Sequence, residues 1–201
     1  DLIRVKIDGQ WSFLDKNGEF AIEPKFDYVW SFGEGLVAVK LNGKYGFIDK
    51  NGKIAIEPKF DYVWSFGEGL AAVELNGKWG FIDKNGEFAI EPKFDYVWSF
   101  WEGLAGVKLN GKWGFIDKSG KIVIESKFDS GGHFSEGLAG VKLNGKWGFI
   151  DKNGEFAIKP NFDDAWYFRE GLAKVGLNGK YGLIDKSGKI VIEPIFDDID
   201  Y

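Results

Sequence analysis

The pattern of apolar and polar positions along the chain predicts short β-strands rather than helices. In the segment 35–68, an apolar run over 36–41 is followed by Asn42-Gly43. This pair is typical of a tight hairpin, because both turn residues must adopt positive φ. Residues 44–50 then fit a strand whose side chains alternate between two faces, with Tyr45, Phe47 and Asp49 on one and Gly46 and Ile48 on the other. Asn51-Gly52 predicts a second turn. Apolar residues do not recur at the helical spacing of 3.6, so the pattern excludes helices.

A third strand is predicted to begin at Ile54. Pro58 is expected to end this strand, because proline has no N–H group for the ladder. The segment therefore predicts a three-stranded meander, followed by a connector over residues 59–68 that has room for a short fourth strand.

The same pattern recurs every 34 residues without insertions. Each repeat is marked by an aromatic residue preceded by Gly-Lys or, once, by Gly-Gln; these aromatics are Trp11, Tyr45, Trp79, Trp113, Trp147 and Tyr181. A fixed period of this kind indicates a repeat architecture. We predict a single repeat domain over residues 1–201, with units at 1–34, 35–68, 69–102, 103–136, 137–170 and 171–201.

The predicted fold class is all-β, with six 34-residue three-to-four-stranded meanders that stack because one meander cannot bury its apolar face alone. We favour a closed six-bladed β-propeller-like ring. In such a ring the first strand of each repeat would line a central channel, and small residues such as Ala38 and Ala72 would suit that crowded axis. The alternative is an open β-solenoid with capping end repeats. It is supported by Arg4 and Lys174, which replace the small residue in the two end repeats only.

These motifs resemble the bacterial WG (also called KWG) β-repeat family. The sequence Gly-Lys-Trp-Gly-Phe-Ile-Asp stands in full at 77–83, 111–117 and 145–151. Further along each repeat come Ile-x-Ile-x-Pro-x-Phe-Asp and Phe-x-Glu-Gly-Leu-Ala-x-Val, with small variations. The resemblance covers essentially the whole chain and implies a bacterial origin with repeats in varying number. It implies no enzymatic activity and no catalytic residues.

Composition narrows the possible chemistry. The 201 residues carry a formal net charge of −5 and include no cysteine, one histidine and no methionine, even at position 1. We therefore expect the chain to be a domain or a processed form of a longer protein. Disulfides, thiolate sites and histidine triads are excluded, and the absence of basic blocks argues against nucleic acid as a partner. No apolar run reaches the roughly 18 residues of a membrane span. The compartment is left open, since cytoplasmic and secreted locations are both allowed.

The repeated carboxylates predict structure rather than catalysis or metal binding. Asp-Lys-Asn-Gly, as at 49–52, resembles the opening of a calcium loop, but it lacks the distal ligands and fits a turn. Asp27 and its equivalents are expected to accept backbone N–H groups. A glycosidase needs two carboxylates in unlike environments, whereas identical repeats give identical ones. We expect no catalytic residue, no metal and no cofactor, so the protein is not expected to be an enzyme.

The connectors carry the candidate site. Trp30 recurs in most repeats, but Gly132 and Asp200 replace it in repeats four and six. Losing a buried tryptophan would cost about 3–5 kcal/mol, so the position is predicted to face solvent. The alternative is packing between repeats, with repeat four locally repacked and His133 a product of sequence drift. The predicted ligand-binding residues are Tyr28, Trp30, Tyr62, Trp64, Tyr96, Trp98, Trp101 and Trp166.

The sequence thus favours a non-catalytic binding module that presents repeated aromatic connectors to carbohydrate or peptide ligands. Flat aromatic faces suit sugar rings and proline-rich peptides. The alternative is a structural or assembly protein that self-associates or scaffolds partners through exposed strand edges or aromatics.

Overall fold

The structure is a computed structural model that describes residues 2–200, except for the side chain of Ser31. Within these residues the regular structure consists of 23 β-strands in six antiparallel sheets, and no helix is present. The first sheet has three strands in sequence order: β1 (Ile3–Ile7), β2 (Gln10–Leu14) and β3 (Phe20–Phe26).

The other five sheets each have four strands in sequence order, and none closes on itself. The second contains β4 (Tyr28–Gly33), β5 (Leu36–Leu41), β6 (Lys44–Asp49) and β7 (Ile54–Phe60). The third contains β8 (Tyr62–Val63), β9 (Ala71–Leu75), β10 (Lys78–Ile82) and β11 (Phe88–Phe94). The fourth contains β12 (Tyr96–Val97), β13 (Leu104–Leu109), β14 (Lys112–Asp117) and β15 (Ile122–Phe128). The fifth contains β16 (Ser130–Ser135), β17 (Leu138–Leu143), β18 (Lys146–Ile150) and β19 (Phe156–Phe162). The sixth contains β20 (Asp164–Ala165), β21 (Leu172–Leu177), β22 (Lys180–Asp185) and β23 (Ile190–Phe196).

The predicted short fourth strand is confirmed, and it joins the sheet of the following repeat. In β8, Tyr62 pairs with Glu74 and Val63 pairs with Val73, both in β9. The first strand of repeats two to six therefore lies inside a four-stranded sheet. Its small residues are buried, with Ala38 and Ala72 each 1 % exposed. The expectation that this strand is the innermost one, lining a channel, is wrong because the connector strand lies beside it.

The Asn-Gly turns have the predicted backbone geometry. Asn42 and Gly43 have φ of 52° and 80°, as a two-residue hairpin requires. Glu34 and Gly35 form a second turn of this kind, with φ of 51° and 89°, between the connector strand and the first strand. These two tight turns fix the register between the connector strand, the first strand and the second strand of the sheet.

The prediction that Pro58 ends the third strand is wrong. Strand β7 continues through Pro58 to Phe60, and Tyr45 pairs with Phe60 while Phe47 pairs with Ile56. A single residue of β6, Gly46, thus faces three residues of β7, and Pro58 lies in the resulting bulge at the sheet edge. Proline is tolerated there because its missing N–H is not needed for the ladder.

In repeats two to six, the glycine of the aromatic-Gly pair leaves room for this bulge, whereas repeat one has Ser12 at the same position. A Cβ atom on Gly46 would lie 2.5 Å from the Ile56 carbonyl oxygen and 2.6 Å from the Pro58 nitrogen. The expectation was that the aromatic ring covers the bare backbone of a neighbouring strand. In the structure it is the backbone of the third strand that approaches the glycine.

The chain forms two compact units, Asp1–Lys93 and Phe94–Tyr201. In each unit the core lies between consecutive sheets, as the stacking argument predicted. In the first, Phe47 and Phe60 pack with Val73 and Ile82 of the next sheet. In the second, one cluster is made by Phe115, Phe128, Val141 and Ile150. The single domain, the ring and the open array stay predictions.

No helix in the described part of the chain is long and apolar enough to cross a membrane.

Candidate functional site

Each connector tryptophan is held in place by its own backbone. The Trp64 N–H donates to the Ala72 carbonyl at 2.9 Å, and the Trp98 N–H donates to the Gly106 carbonyl at 2.8 Å. The side chain then lies against the first strand, because a Cβ atom on Gly106 would come within 3.0 Å of Trp98 Cδ1. The small residues of the first strand therefore make room for the connector indoles.

Four predicted site residues of the first unit form one contiguous group, here called the aromatic ladder: Tyr28, Trp30, Tyr62 and Trp64. Ring centroids lie 5.7 Å apart for Tyr28–Trp30, 6.0 Å for Trp30–Trp64 and 5.6 Å for Tyr62–Trp64. Tyr28 is exposed, whereas the other three are half-buried. The indole N–H groups of Trp30 and Trp64 are buried without a hydrogen-bond partner in the described residues. The ladder therefore presents ring carbons to solvent.

In the second unit the predicted residues lie in separate places. Tyr96 contacts Trp98 edge-to-face at 5.4 Å, and Trp98 stacks on Trp113 with centroids 5.9 Å apart. Trp166 contacts Tyr181 at 5.6 Å. Trp98 is 36 % exposed and Trp166 is 43 % exposed. None of the four connector tryptophans is fully buried, and their role in binding stays a prediction.

Trp101 belongs to a second aromatic row, made with His133 and Tyr167. The His133 ring lies 5.3 Å from Trp101 and 5.0 Å from Tyr167. Trp101 is 55 % exposed and Tyr167 is 50 % exposed, so the row forms an exposed apolar surface along three successive repeats.

Repeat four contains a cleft of about 430 Å³ where four of the other connectors place a tryptophan. The cleft is lined by Trp98, Trp147 and Trp166, and by His133 and Tyr167 of the second aromatic row. The backbone of Gly131 and Gly132 also lines it, and the Trp98 indole N–H donates to the Gly131 carbonyl at 2.8 Å. This site lies entirely within the second unit.

The sequence interpretation missed most of this cleft. The sequence predicts no binding role for Trp147, and its alternative for Gly132 and His133 is local repacking and sequence drift. The available signal was a group of glycines around the connector of repeat four. Gly131, Gly132 and Gly140 stand where valine, tryptophan and alanine stand two repeats earlier, at residues 63, 64 and 72. Their proximity depends on strand pairing, since Gly131 pairs with Val141, next to Gly140.

The repeated carboxylates have structural partners. Asp61 accepts a hydrogen bond from the Asn76 backbone N–H at 2.7 Å and pairs with the Lys44 ammonium. The expected backbone donors are therefore present, but they belong to the next Asn-Gly hairpin rather than to the connector. Glu34 accepts from Lys84 and from the Gly69 N–H, and the Lys84 hydrogen bond lowers the pKa of Glu34 below its ordinary value.

The Asp-Lys-Asn-Gly segments form turns, as predicted. Asp49 Oδ1 accepts from the backbone N–H groups of Asn51 at 2.8 Å and Lys53 at 3.0 Å. Among the described residues, no group of three or more histidine, aspartate or glutamate side chains is arranged to hold a metal ion.

The burial of His133 predicts a pH-dependent stability. Burial lowers the pKa of His133 below its ordinary value of 6.5, and the charge of Glu102 opposes this in part. As the pH falls through 6.5, the unfolded chain takes up the proton first, so the folded state loses stability until the pH passes the lowered pKa. Above pH 6.5, His133 is neutral in both the folded and the unfolded chain, so it adds nothing to the pH dependence of stability.

We therefore expect the wild type to lose more stability than His133→Gln between pH 7 and pH 5. Urea unfolding of both proteins at the two pH values measures the difference. Both proteins carry the same carboxylates, so the contribution of these groups cancels in the difference between the two losses of stability. Equal losses in the two proteins would contradict the prediction.

The sequence comparison identifies six consecutive matches to a model described as "WG containing repeat". The matches cover residues 11–45, 45–79, 79–113, 113–147, 147–181 and 181–201. No curated protein matches the sequence.

Several solved structures share the fold. Hsv2 of Kluyveromyces lactis matches with a TM-score of 0.58 and 9 % identity, over 92 % of this chain and 70 % of that one. A eukaryotic initiation factor matches with a TM-score of 0.61 and 11 % identity, over 93 % of this chain and 61 % of that one. Dihydro-heme d1 dehydrogenase NirN matches with a TM-score of 0.53 and 13 % identity, over 92 % of this chain and 52 % of that one. At these identities the likeness concerns the β-propeller-like fold alone.

Proposed function

The chain belongs to the family of WG-containing repeats, and on that premise we propose that it is a non-catalytic binding module whose aromatic connectors hold carbohydrate or peptide ligands. The fold is consistent with a binding or scaffold module. The observation that carries the proposal is the exposure of large aromatic side chains along the connectors. Trp98, Trp101, Trp166 and Tyr167 are each between 36 % and 55 % exposed. Exposed apolar patches of this kind mark interaction sites, and aromatic side chains dominate the energetics of such contacts.

The spacing of these residues supports a ligand with several similar units. Connector aromatics recur every 34 residues, and neighbouring ones lie within ring contact, as in the aromatic ladder. A ligand that engages several weak sites at once gains avidity of roughly 10²–10⁴ over one site. The carboxylates are occupied by lysines and backbone N–H groups, which favours a structural role for them.

A second candidate function, self-association or scaffolding, is supported by the edge strand of the sixth sheet. Val191, Ile195 and Phe196 of β23 are 52 %, 66 % and 44 % exposed. An edge strand with exposed apolar side chains can pair with another chain.

The proposed function predicts that binding depends on the connector rings. Replacing Trp30, Trp64 and Trp101 by alanine should lower apparent affinity at least about tenfold, because three platforms are lost at once. Glycan and proline-rich peptide arrays probed with both proteins measure this loss.

Two controls accompany the arrays. A variant with tyrosine at the same three positions keeps the rings and should keep most of the binding, and both variants should melt as cooperatively as the wild type. Ligands that bind wild type and alanine variant equally would contradict the role of the connectors. Failure of the wild type to bind, together with a particle size that grows with protein concentration, would favour the scaffold function instead.

A further inference from the structure

Three neighbouring positions lack a side chain together: two lie in the connector of repeat four and one lies on the first strand of repeat five. Gly131 stands where Val63 stands in repeat two, and Gly132 stands where Trp64 stands. Gly140, on the adjacent first strand, corresponds to alanine in repeats two and three. The register brings these positions together, because Gly131 pairs with Val141. Their joint loss opens the cleft of about 430 Å³, a volume within the range of roughly 300–1,000 Å³ of small-ligand sites.

The walls of the cleft are indole rings whose positions are fixed by packing and hydrogen bonding within the protein. Trp98 stacks on Trp113 and donates its indole N–H to the Gly131 carbonyl. Trp147 packs against Gly140, where a Cβ atom would lie 3.8 Å from Trp147 Cε3. Fixed aromatic walls lose little side-chain entropy when a ligand binds, which favours affinity in a small site.

The rim of the cleft carries groups that have no hydrogen-bond partner among the described residues. Within the described part of the chain, the side chains of Ser130, His133 and Tyr167 make no hydrogen bond. Each can both donate and accept, as a hydroxyl, a neutral imidazole and a phenol respectively. A few polar groups around an aromatic cavity are the usual arrangement for orienting a small ligand.

The charges around the cleft favour a neutral ligand. None of the described residues that line it is an aspartate, glutamate, lysine or arginine. The lining therefore offers no partner for an anion. The Lys174 ammonium lies 4.8 Å from the Trp166 ring centroid and forms a cation–π contact with it. This positive charge repels a cationic ligand from the same ring.

We propose that this cleft binds one ring of a neutral saccharide, which stacks on the indoles and hydrogen-bonds to the rim. A pyranose ring has apolar faces and hydroxyl groups around its edge, so it matches both the walls and the rim. A proline or aromatic side chain of a peptide would match the walls alone and leave the rim groups unpaired, at a cost in affinity. The inference rests on the proposed function and assigns a ligand class to a site outside the aromatic ladder.

Restoring the repeat sequence provides the test. Gly132→Trp places in the cleft the residue that four of the other connectors carry there. Its fold should be kept, because a Cβ atom on Gly132 would meet only the Gly140 oxygen, at 3.8 Å, and its φ lies outside the left-handed region. Gly132→Ala is the matched control, since it adds one methyl group and leaves the cleft open.

Neutral hexoses and their methyl glycosides are the probes, followed by tryptophan fluorescence and by saturation-transfer NMR. We expect the wild type and Gly132→Ala to bind a saccharide, and Gly132→Trp to bind it at least about tenfold more weakly. Thermal melting of all three proteins establishes that the loss is not caused by unfolding.

The other outcomes separate this inference from the proposed function. A saccharide bound equally by wild type and Gly132→Trp would overturn the cleft assignment and leave the binding module in place. A proline-rich peptide bound in the cleft instead of a saccharide would overturn the ligand class alone. If no hexose or glycoside binds, the cleft assignment falls. The proposed function is then decided by the arrays, because Trp30 and Trp64 of the array variants do not line the cleft.

Discussion

Replacing Gly80 by alanine is expected to lower the free energy of unfolding by about 3 kcal/mol, near the upper end of the usual cost of overpacking. A Cβ atom at this position would lie 2.5 Å from the Ile90 carbonyl oxygen and 2.7 Å from the Pro92 nitrogen. Both contacts are with backbone atoms, so no side-chain rotation relieves them. The third strand of the sheet must move as a whole. Urea unfolding followed by circular dichroism measures the change.

Two further variants make this prediction specific. Gly67→Ala adds a methyl group where no atom lies within 4 Å, and it should stay within about 0.5 kcal/mol of the wild type. Gly80→Ser tests whether a hydrogen bond offsets the crowding, because Ser12 occupies the equivalent position in repeat one and donates to the Ile22 carbonyl. We expect the serine variant to lose less stability than the alanine variant. Similar stabilities for Gly80→Ala and Gly67→Ala would show that the close approach is not required.

Truncating Phe134 should cost about 3–5 kcal/mol, the usual penalty for removing a fully buried phenylalanine. Phe134 has no exposed surface and packs edge-to-face on Phe115, with ring centroids 5.0 Å apart. Phe134 belongs to the core of the second unit and directly follows His133 of the second aromatic row in the sequence.

The matched control for Phe134 is Phe32, which holds the same place in an earlier repeat. Phe32 is 37 % exposed and contacts Phe13 at 5.5 Å. Phe32→Ala should therefore cost only about two thirds as much, because the loss scales with the apolar area removed from water. Urea unfolding of both variants in parallel provides the measurement. Equal losses would mean that the position, rather than the burial, sets the energetics.

The cleft and the ladder arise from one sequence position used in two ways. In the first unit, Trp30 and Trp64 stand in successive connectors and contact each other. In repeat four, Gly132 leaves that place empty between two exposed tryptophans. A repeated structure can thus acquire a single distinct site by losing a side chain, while the neighbouring repeats supply the walls. This is why the cleft-filling variant is expected to abolish a site without weakening the fold.

The sequence by itself determined the repeat, its strands and its tight turns. Period-2 alternation and the Asn-Gly pairs act over a few residues, and Asn42-Gly43 forms the predicted turn because its φ preferences are local. The number and boundaries of the first and second strands followed from the same local signals. The family resemblance was carried by motifs that recur at fixed spacing, and it needed no knowledge of packing.

Only the tertiary structure decided how the repeats use these strands. Pro58 stays in its strand because the bulge over Gly46 lies at a sheet edge. Which strand forms the edge depends on strand pairing, and local residue preferences do not determine it. The connector strand joins the next repeat, so the small residues of the first strand face indoles rather than a channel. The cleft depends on Gly132, Trp98 and Trp147, which are far apart in sequence and meet through strand register and stacking. Long-range contacts of this kind are fixed by which faces must be buried together, and a reading of one repeat at a time does not contain them.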